Sequence, residues 1–257
     1  MKTQFHSPQH LTQSPYTKRG EGPPIVFIHG FLSGASSFEY VVEDLAATNT
    51  IISVDLPGIG ASNIKEGHTY TVEDYAREIQ EVLAQEGIEE ATWLGHSMGG
   101  YVALAAADER IAQVNQLILL FSSDLADGEE AIAKREKQKK QIEEEGVSKF
   151  VDGMIGNFFP EDAPEEAIEF MRAVAKDATV EGMVQQLAAM QSRKDRSKFI
   201  ENAKIPISII EGTNDKILPP IETDGPNVQR VRIPTGHMGM AEKPALVIDA
   251  VRMMLVH

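Results

Sequence analysis

Short runs rich in Val, Ile and Leu recur along the chain at residues 25–28, 51–54, 91–94, 116–121, 206–210 and 228–233, each bounded by Gly, Pro or Asp. They read as buried strands rather than as alternating, half-exposed ones. That pattern predicts strands of a parallel sheet buried on both faces. Between them lie stretches of helical period: at 71–85, Val72, Tyr75, Ile79, Val82 and Leu83 fall on one face and Gly87 supplies a stop, and 244–255 behaves likewise. Strands alternating with helices predict right-handed βαβ crossovers, an α/β architecture whose ligands bind at the carboxyl ends of the strands.

The rhythm breaks between residues 125 and 200. Strand signals vanish there for about 75 residues, far beyond an ordinary connection. The spacing predicts a helical cap inserted at 125–200 into a core made of 1–124 and 201–257. Its first part, 129–145, mixes Lys134, Arg135, Lys137, Lys139 and Lys140 with acids and reads as a solvated helix face with no partner assigned. Further on, Phe150, Met154, Ile155, Phe158, Phe159, Met171, Val174, Met183, Leu187 and Met190 read as packing residues that also roof a substrate cleft. There is no internal repeat or low-complexity tract.

Composition narrows the chemistry. The chain of 257 residues is 42% hydrophobic and 25% charged, enough to bury a sizeable core. A formal charge of −15 disfavours nucleic acid and anionic membrane surfaces, which are held by clustered Lys and Arg. Cysteine is absent, which excludes disulfides, thiolate metal sites and a cysteine nucleophile. Residues 1–10 lack the charged start and apolar run of a secretory signal, and no stretch has the length of a spanning helix, so a cytoplasmic protein without membrane contact is expected. No His pair at i, i+4 and no His-Glu-x-x-His arrangement is present, so no metal and no cofactor are expected.

After the third apolar run comes Gly95-His96-Ser97-Met98-Gly99-Gly100, followed by the small, helix-compatible stretch 101–107. This is Gly-x-Ser-x-Gly in the order strand, sharp turn, helix. The order predicts a strained turn that lifts the Ser97 hydroxyl to a helix N-terminus, where unpaired N–H groups favour negative charge. Four further segments join it: Ile28-His29-Gly30-Phe31 after the first run; Asp55-Leu56-Pro57-Gly58-Ile59-Gly60-Ala61-Ser62 after the second; Gly212-Thr213-Asn214-Asp215; and Gly236-His237 with Glu242-Lys243-Pro244. Together they resemble the α/β-hydrolase superfamily in its serine-nucleophile branch, carboxylesterase-like or enol-lactonase-like, over nearly the whole chain. The fold this implies is a mostly parallel central sheet flanked by helices with a helical cap.

The resemblance and the residues agree on a triad of Ser97, Asp215 and His237, in the chain order expected of this fold. A serine hydroxyl is hardly ionised at neutral pH and needs an imidazole to take its proton. His237 follows the last predicted strand, at the edge where Ser97 emerges. His6, His10, His68 and His257 fall in loops or termini, and His29 and His96 flank motif glycines as structural or pocket-lining residues. Asp215 is favoured as the carboxylate that orients the imidazole, with Asp124 as the alternative. The family pattern implies an oxyanion hole from the N–H groups of Phe31 and Met98. Asp55 reads as part of a tight turn rather than a reacting group. Arg193 reads as a lid-edge residue paired with Asp195, with recognition of a substrate carboxylate as the alternative.

The expected activity is hydrolysis of a small-molecule carboxylic ester through an acyl-enzyme, by a monomer or weak homodimer. Aspartate-using dehalogenase and epoxide hydrolase relatives are excluded by the serine. Enol-lactone hydrolysis, carbon-carbon bond hydrolysis, perhydrolysis and a slow hydrolase-fold receptor remain alternatives on the same residues.

Overall fold

The computed structural model describes residues 4–6 and 14–255; His10 and His257 lie outside them. In chain order the elements are β1 (Gln4–His6), β2 (Tyr16–Arg19), β3 (Pro24–Ile28), α1 (Glu39–Ala46), β4 (Thr50–Val54), α2 (Val72–Gln85), β5 (Glu90–His96), α3 (Met98–Asp108) and β6 (Gln113–Leu120). They continue with α4 (Glu129–Met154), α5 (Glu165–Ala175), α6 (Val180–Ser192), α7 (Ser197–Asn202), β7 (Ile207–Gly212), β8 (Val228–Ile233), α8 (Gly239–Glu242) and α9 (Pro244–Met254). Two 3-10 turns, Ala35–Phe38 and Ile155–Phe158, precede α1 and follow α4.

The strands form one sheet in the order β1-β2-β4-β3-β5-β6-β7-β8. β3 to β8 pair in parallel, whereas β1 and β2 add an antiparallel edge. That edge departs from the sequence reading, which left this region as loop, and it makes His6 a strand residue paired with Tyr16. β2 is only Tyr-Thr-Lys-Arg, a short half-polar strand between β1 and β4 without a continuous apolar signal.

Burial explains the regularity of the rest except β8, which the sequence reading took as a buried strand but whose Gln229, Arg230 and Arg232 are exposed because it is the last strand of the sheet. β3, β4 and the last five residues of β6 are almost wholly buried, and α3 is apolar all round because it runs under the sheet centre. α2 is amphipathic. It begins on a reciprocal cap between Thr71 and Asp74 and ends before Gly87, whose φ of +68° favours glycine. α1 packs on α9 and α2 on α3, so helices cover both faces. The chain leaves β3 toward β4 on one side and returns to β5 on the other. This reversal opens a crevice above the carboxyl ends of β3 and β5.

Helices α4 to α7 fill the interval between β6 and β7. α4 is broken at Gly146, which takes φ +78° and ψ 166° with open space around it. The segment is fastened to the core on two sides. Gly60 N–H donates to the Asp177 carbonyl (3.1 Å), Thr179 N–H donates to the Gly58 carbonyl (3.1 Å), and Ile59 bridges Ala178. Gly58 and Gly182 touch main chain to main chain there: a Cβ on Gly58 would sit 2.2 Å from the Gly182 Cα. On the other side, Arg196 donates to Glu73 (2.6 Å) and pairs with Asp108 (3.4 Å). Phe150, Ile155, Met171, Met183 and Leu187 are fully buried, so packing accounts for most of the apolar residues of the segment.

Candidate active site

The turn between β5 and α3 carries Ser97 at φ +51° and ψ −117°, a backbone region that costs about 1–3 kcal/mol outside glycine. The surroundings over-determine it. Ser97 N–H donates to the Leu120 carbonyl (3.0 Å), and the Ser97 carbonyl accepts from Gly100 N–H (2.9 Å) and the Ser122 hydroxyl (2.8 Å). The flanking glycines are needed for space rather than for φ. A Cβ on Gly99 would lie 2.1 Å from the Ile28 carbonyl oxygen, one on Gly95 2.2 Å from the Gly99 oxygen, and one on Gly100 2.1 Å from Ser122 Oγ.

This contact gives the first expected outcome. Gly99→Ala forces α3 off β3 and is expected to cost about 3 kcal/mol, or roughly 6–12 °C in Tm for a chain of this size by calorimetry. An unchanged Tm would mean that the turn has slack.

Two loops at the adjoining strand ends are zipped together. Thr213 N–H donates to the Ile233 carbonyl (2.9 Å) and Asn214 N–H to the Thr235 carbonyl (3.0 Å), so the loop after β7 lies alongside the loop after β8. Asp215 and His237 thereby meet. His237 Nδ1 donates to Asp215 Oδ2 (2.7 Å), and the Ser97 hydroxyl donates to His237 Nε2 (2.9 Å). The imidazole is 1% exposed and the carboxylate 6%. Burial alone would push the Asp215 carboxyl up, but the His237 ring and the N–H groups of Ile217 (2.7 Å) and Leu218 (3.2 Å) hold it below the usual carboxylate range. It therefore stays ionised while the imidazole beside it changes charge.

Gly30 abuts the serine: a Cβ there would lie 3.0 Å from Ser97 Cβ. The N–H groups of Phe31, next in sequence, and of Met98, the first residue of α3, have no acceptor among the described residues. The Phe31 ring stands edge-to-face on Phe150 at 6.3 Å, and Phe158 approaches the His237 ring at 5.6 Å.

The remaining candidates fall outside this chain of contacts. Asp124 accepts from the Thr223 hydroxyl and reaches neither histidine nor serine. Asp55 accepts from Ala35 N–H (2.7 Å) and so starts the 3-10 turn after β3; its burial pushes the carboxyl up. His29 accepts from Leu56 N–H (3.0 Å) and donates to the Gly30 carbonyl (2.9 Å), a structural use of both ring nitrogens. His68 is partly exposed beside Asp74.

Arg193 corrects the sequence reading. It pairs with Asp127 (2.6 Å), not Asp195, donates to the Leu125 carbonyl (2.9 Å) and lies 4.1 Å above the Tyr101 ring. Asp195 instead accepts from the Ser197 N–H and hydroxyl, opening α7. Arg135, read as part of a solvated face, also turns inward to Asp127. Sequence reasoning gave no role to Glu242, whose buried Oε2 accepts from Gly236 N–H (2.7 Å) and braces the loop of His237. The Glu-Lys-Pro tripeptide was the visible signal.

Among the described residues, no group of three or more His, Asp or Glu could hold a metal ion, and no helix is long and apolar enough to cross a membrane.

A family model described as the alpha/beta hydrolase fold matches residues 23–160. Over 99 residues the chain is 36% identical to the uncharacterized hydrolase YugF of Bacillus subtilis, a stretch covering 38% of this chain and 36% of that protein. Over 104 residues it is 38% identical to a pimeloyl-[acyl-carrier protein] methyl ester esterase of Vibrio campbellii, covering 40% of this chain and 39% of that protein. The matched stretch thus spans little more than a third of each of these curated relatives. Among solved structures, a thermophilic esterase from Thermogutta terrifontis superposes with a TM-score of 0.87 at 28% identity, covering 93% of this chain and 92% of that one.

Proposed function

This chain belongs to the alpha/beta hydrolase fold family, and on that premise we propose that it is a serine hydrolase cleaving small carboxylic esters through an acyl-enzyme. The observation that carries the reading is the continuous hydrogen-bonded chain from Ser97 through His237 to Asp215. The esterase names among its relatives support the same class.

In the proposed cycle Ser97 Oγ attacks the ester carbonyl while its proton passes to His237 Nε2. The carbonyl oxygen becomes an oxyanion beside the free N–H groups of Phe31 and Met98, each worth on the order of 10²–10³ in turnover. Collapse of the tetrahedral intermediate expels the alcohol, which takes the proton from His237. Water, deprotonated by the same nitrogen, then attacks the acyl-serine, and collapse of that second intermediate releases the carboxylic acid as the proton on His237 returns to Ser97 Oγ. Asp215 keeps its charge throughout and stabilises the imidazolium. Helices α4 to α7 act as a cap over this site, and Phe31 and Phe150 close the space beside the oxyanion donors.

A series of p-nitrophenyl esters tests the reading. Butyrate is expected to be turned over roughly two- to tenfold faster than laurate, because a long acyl chain has to part the Phe31–Phe150 contact, which carries about 0.5–1.5 kcal/mol beyond its buried area. No turnover of any ester, with an enol lactone consumed instead, would move the substrate class.

A further inference from the structure

The peptide of His237 is tied at both ends. Its N–H donates to the carbonyl of Phe158, in the 3-10 turn after α4, at 3.1 Å. Its carbonyl accepts from Nε2 of His96, the residue before the nucleophile, at 2.9 Å. The backbone that carries the base is therefore bonded both to the serine turn and to the inserted helices.

His96 itself is fully buried, with its ring 5.1 Å from that of His237 and 6.1 Å from that of Phe121. Because Nε2 faces a carbonyl, it must carry the hydrogen. Nδ1 is bare and unpartnered, and it looks toward Gly30, where a Cβ would come within 2.9 Å. Burial, reinforced by the nearby His237, pushes the imidazole down to about 3, even though Asp215 pulls the other way. The ring stays neutral at any pH near neutrality, and its one N–H is already committed. It is not an alternative base.

We propose that His96 is a positioning residue, whose Nε2–H, acting through the His237 carbonyl, holds the base loop in register with Ser97. This rests on the serine-hydrolase reading above. The geometric reason is that His237 Nε2 must stay near 2.9 Å from an oxygen on a different loop, and displacements of about 1 Å in such pairs cost on the order of 100-fold in rate. The His96 bond is a direct strut between the two loops, because it starts one residue from Ser97 and ends on the His237 residue itself.

The test compares His96→Phe, which keeps a ring but no donor, with His96→Gln, whose side-chain amide can reach the same carbonyl. Wild-type turnover and organophosphonate labelling of Ser97 are established first, so that failure of the underlying reading is seen separately. His96→Phe is expected to lose at least about tenfold in kcat with KM unchanged, and the nitrogen NMR titration of His237 should move. His96→Gln should recover most of both. Should His96→Phe not fold, His96→Ala against His96→Gln makes the same comparison. Wild-type kcat and an unmoved His237 titration in the donor-free variant would overturn the proposal, as would equal losses in the donor-free and Gln variants.

Discussion

Ser97→Ala is expected to reduce ester turnover by a factor on the order of 10⁶ and to abolish covalent labelling by an organophosphonate, with the fold intact. The large factor follows from the way the three side chains act as a unit. Without the hydroxyl, His237 has no proton to take and Asp215 no imidazolium to stabilise, while the free N–H groups of Phe31 and Met98 remain. Those donors, with substrate binding, leave a residual of about 10³–10⁴ over water. Stability should hardly change, since the backbone at 97 is fixed by main-chain bonds and by Ser122 rather than by the Ser97 side chain. Calorimetry would check the fold and intact-protein mass spectrometry the label. Persistent labelling in the variant would remove Ser97 from the role.

The second large effect separates two carboxylates. Asp215→Asn is expected to cost about 10⁴ in kcat, and Asp124→Asn less than about tenfold. At 215 the N–H groups of Ile217 and Leu218 both donate to Oδ1, so an asparagine will keep its oxygen there and turn its amino group toward His237. That group cannot accept from Nδ1. The imidazole then carries its hydrogen on Nε2, facing Ser97, and can no longer take the serine proton. Asp124 exerts no such control, being bonded to Thr223. Steady-state kinetics of the two variants checks this, and a reversed order would transfer the acid role to Asp124.

Much of the arrangement was readable in advance because it is local. The motif around Ser97 stands between an apolar run and a small-residue helix, and the loop carrying Asp215 follows β7, whose burial makes it conspicuous, whereas the His237 loop follows the half-exposed β8 and is marked by its own Gly-His and Glu-Lys-Pro residues. Parallel pairing aligns strand ends, so residues at matching ends meet however distant in sequence. What escaped has a different character. The partner of Arg193 was read as Asp195, two positions away, whereas the N–H and hydroxyl of Ser197 bind that carboxylate and Asp127, 66 positions away, takes the guanidinium. β2 escaped because it is four residues long and only half-buried, with Thr17, Lys18 and Arg19 breaking any apolar run. The bonds to Phe158 and from His96 escaped because they involve main-chain atoms of His237, for which no residue type is diagnostic.

The Gly58–Gly182 contact bears on redesign. Exchanging the α4 to α7 segment for a foreign one is a natural way to alter such a scaffold, and one seam of the chimera runs through these two residues. Since each leaves room only for a hydrogen on the other, a donor segment with any side chain at 182 would ride up on the loop of Gly58 and tilt. A transplant that preserves the pair keeps this main-chain contact, and one that ignores it shifts the transplanted helices against the core.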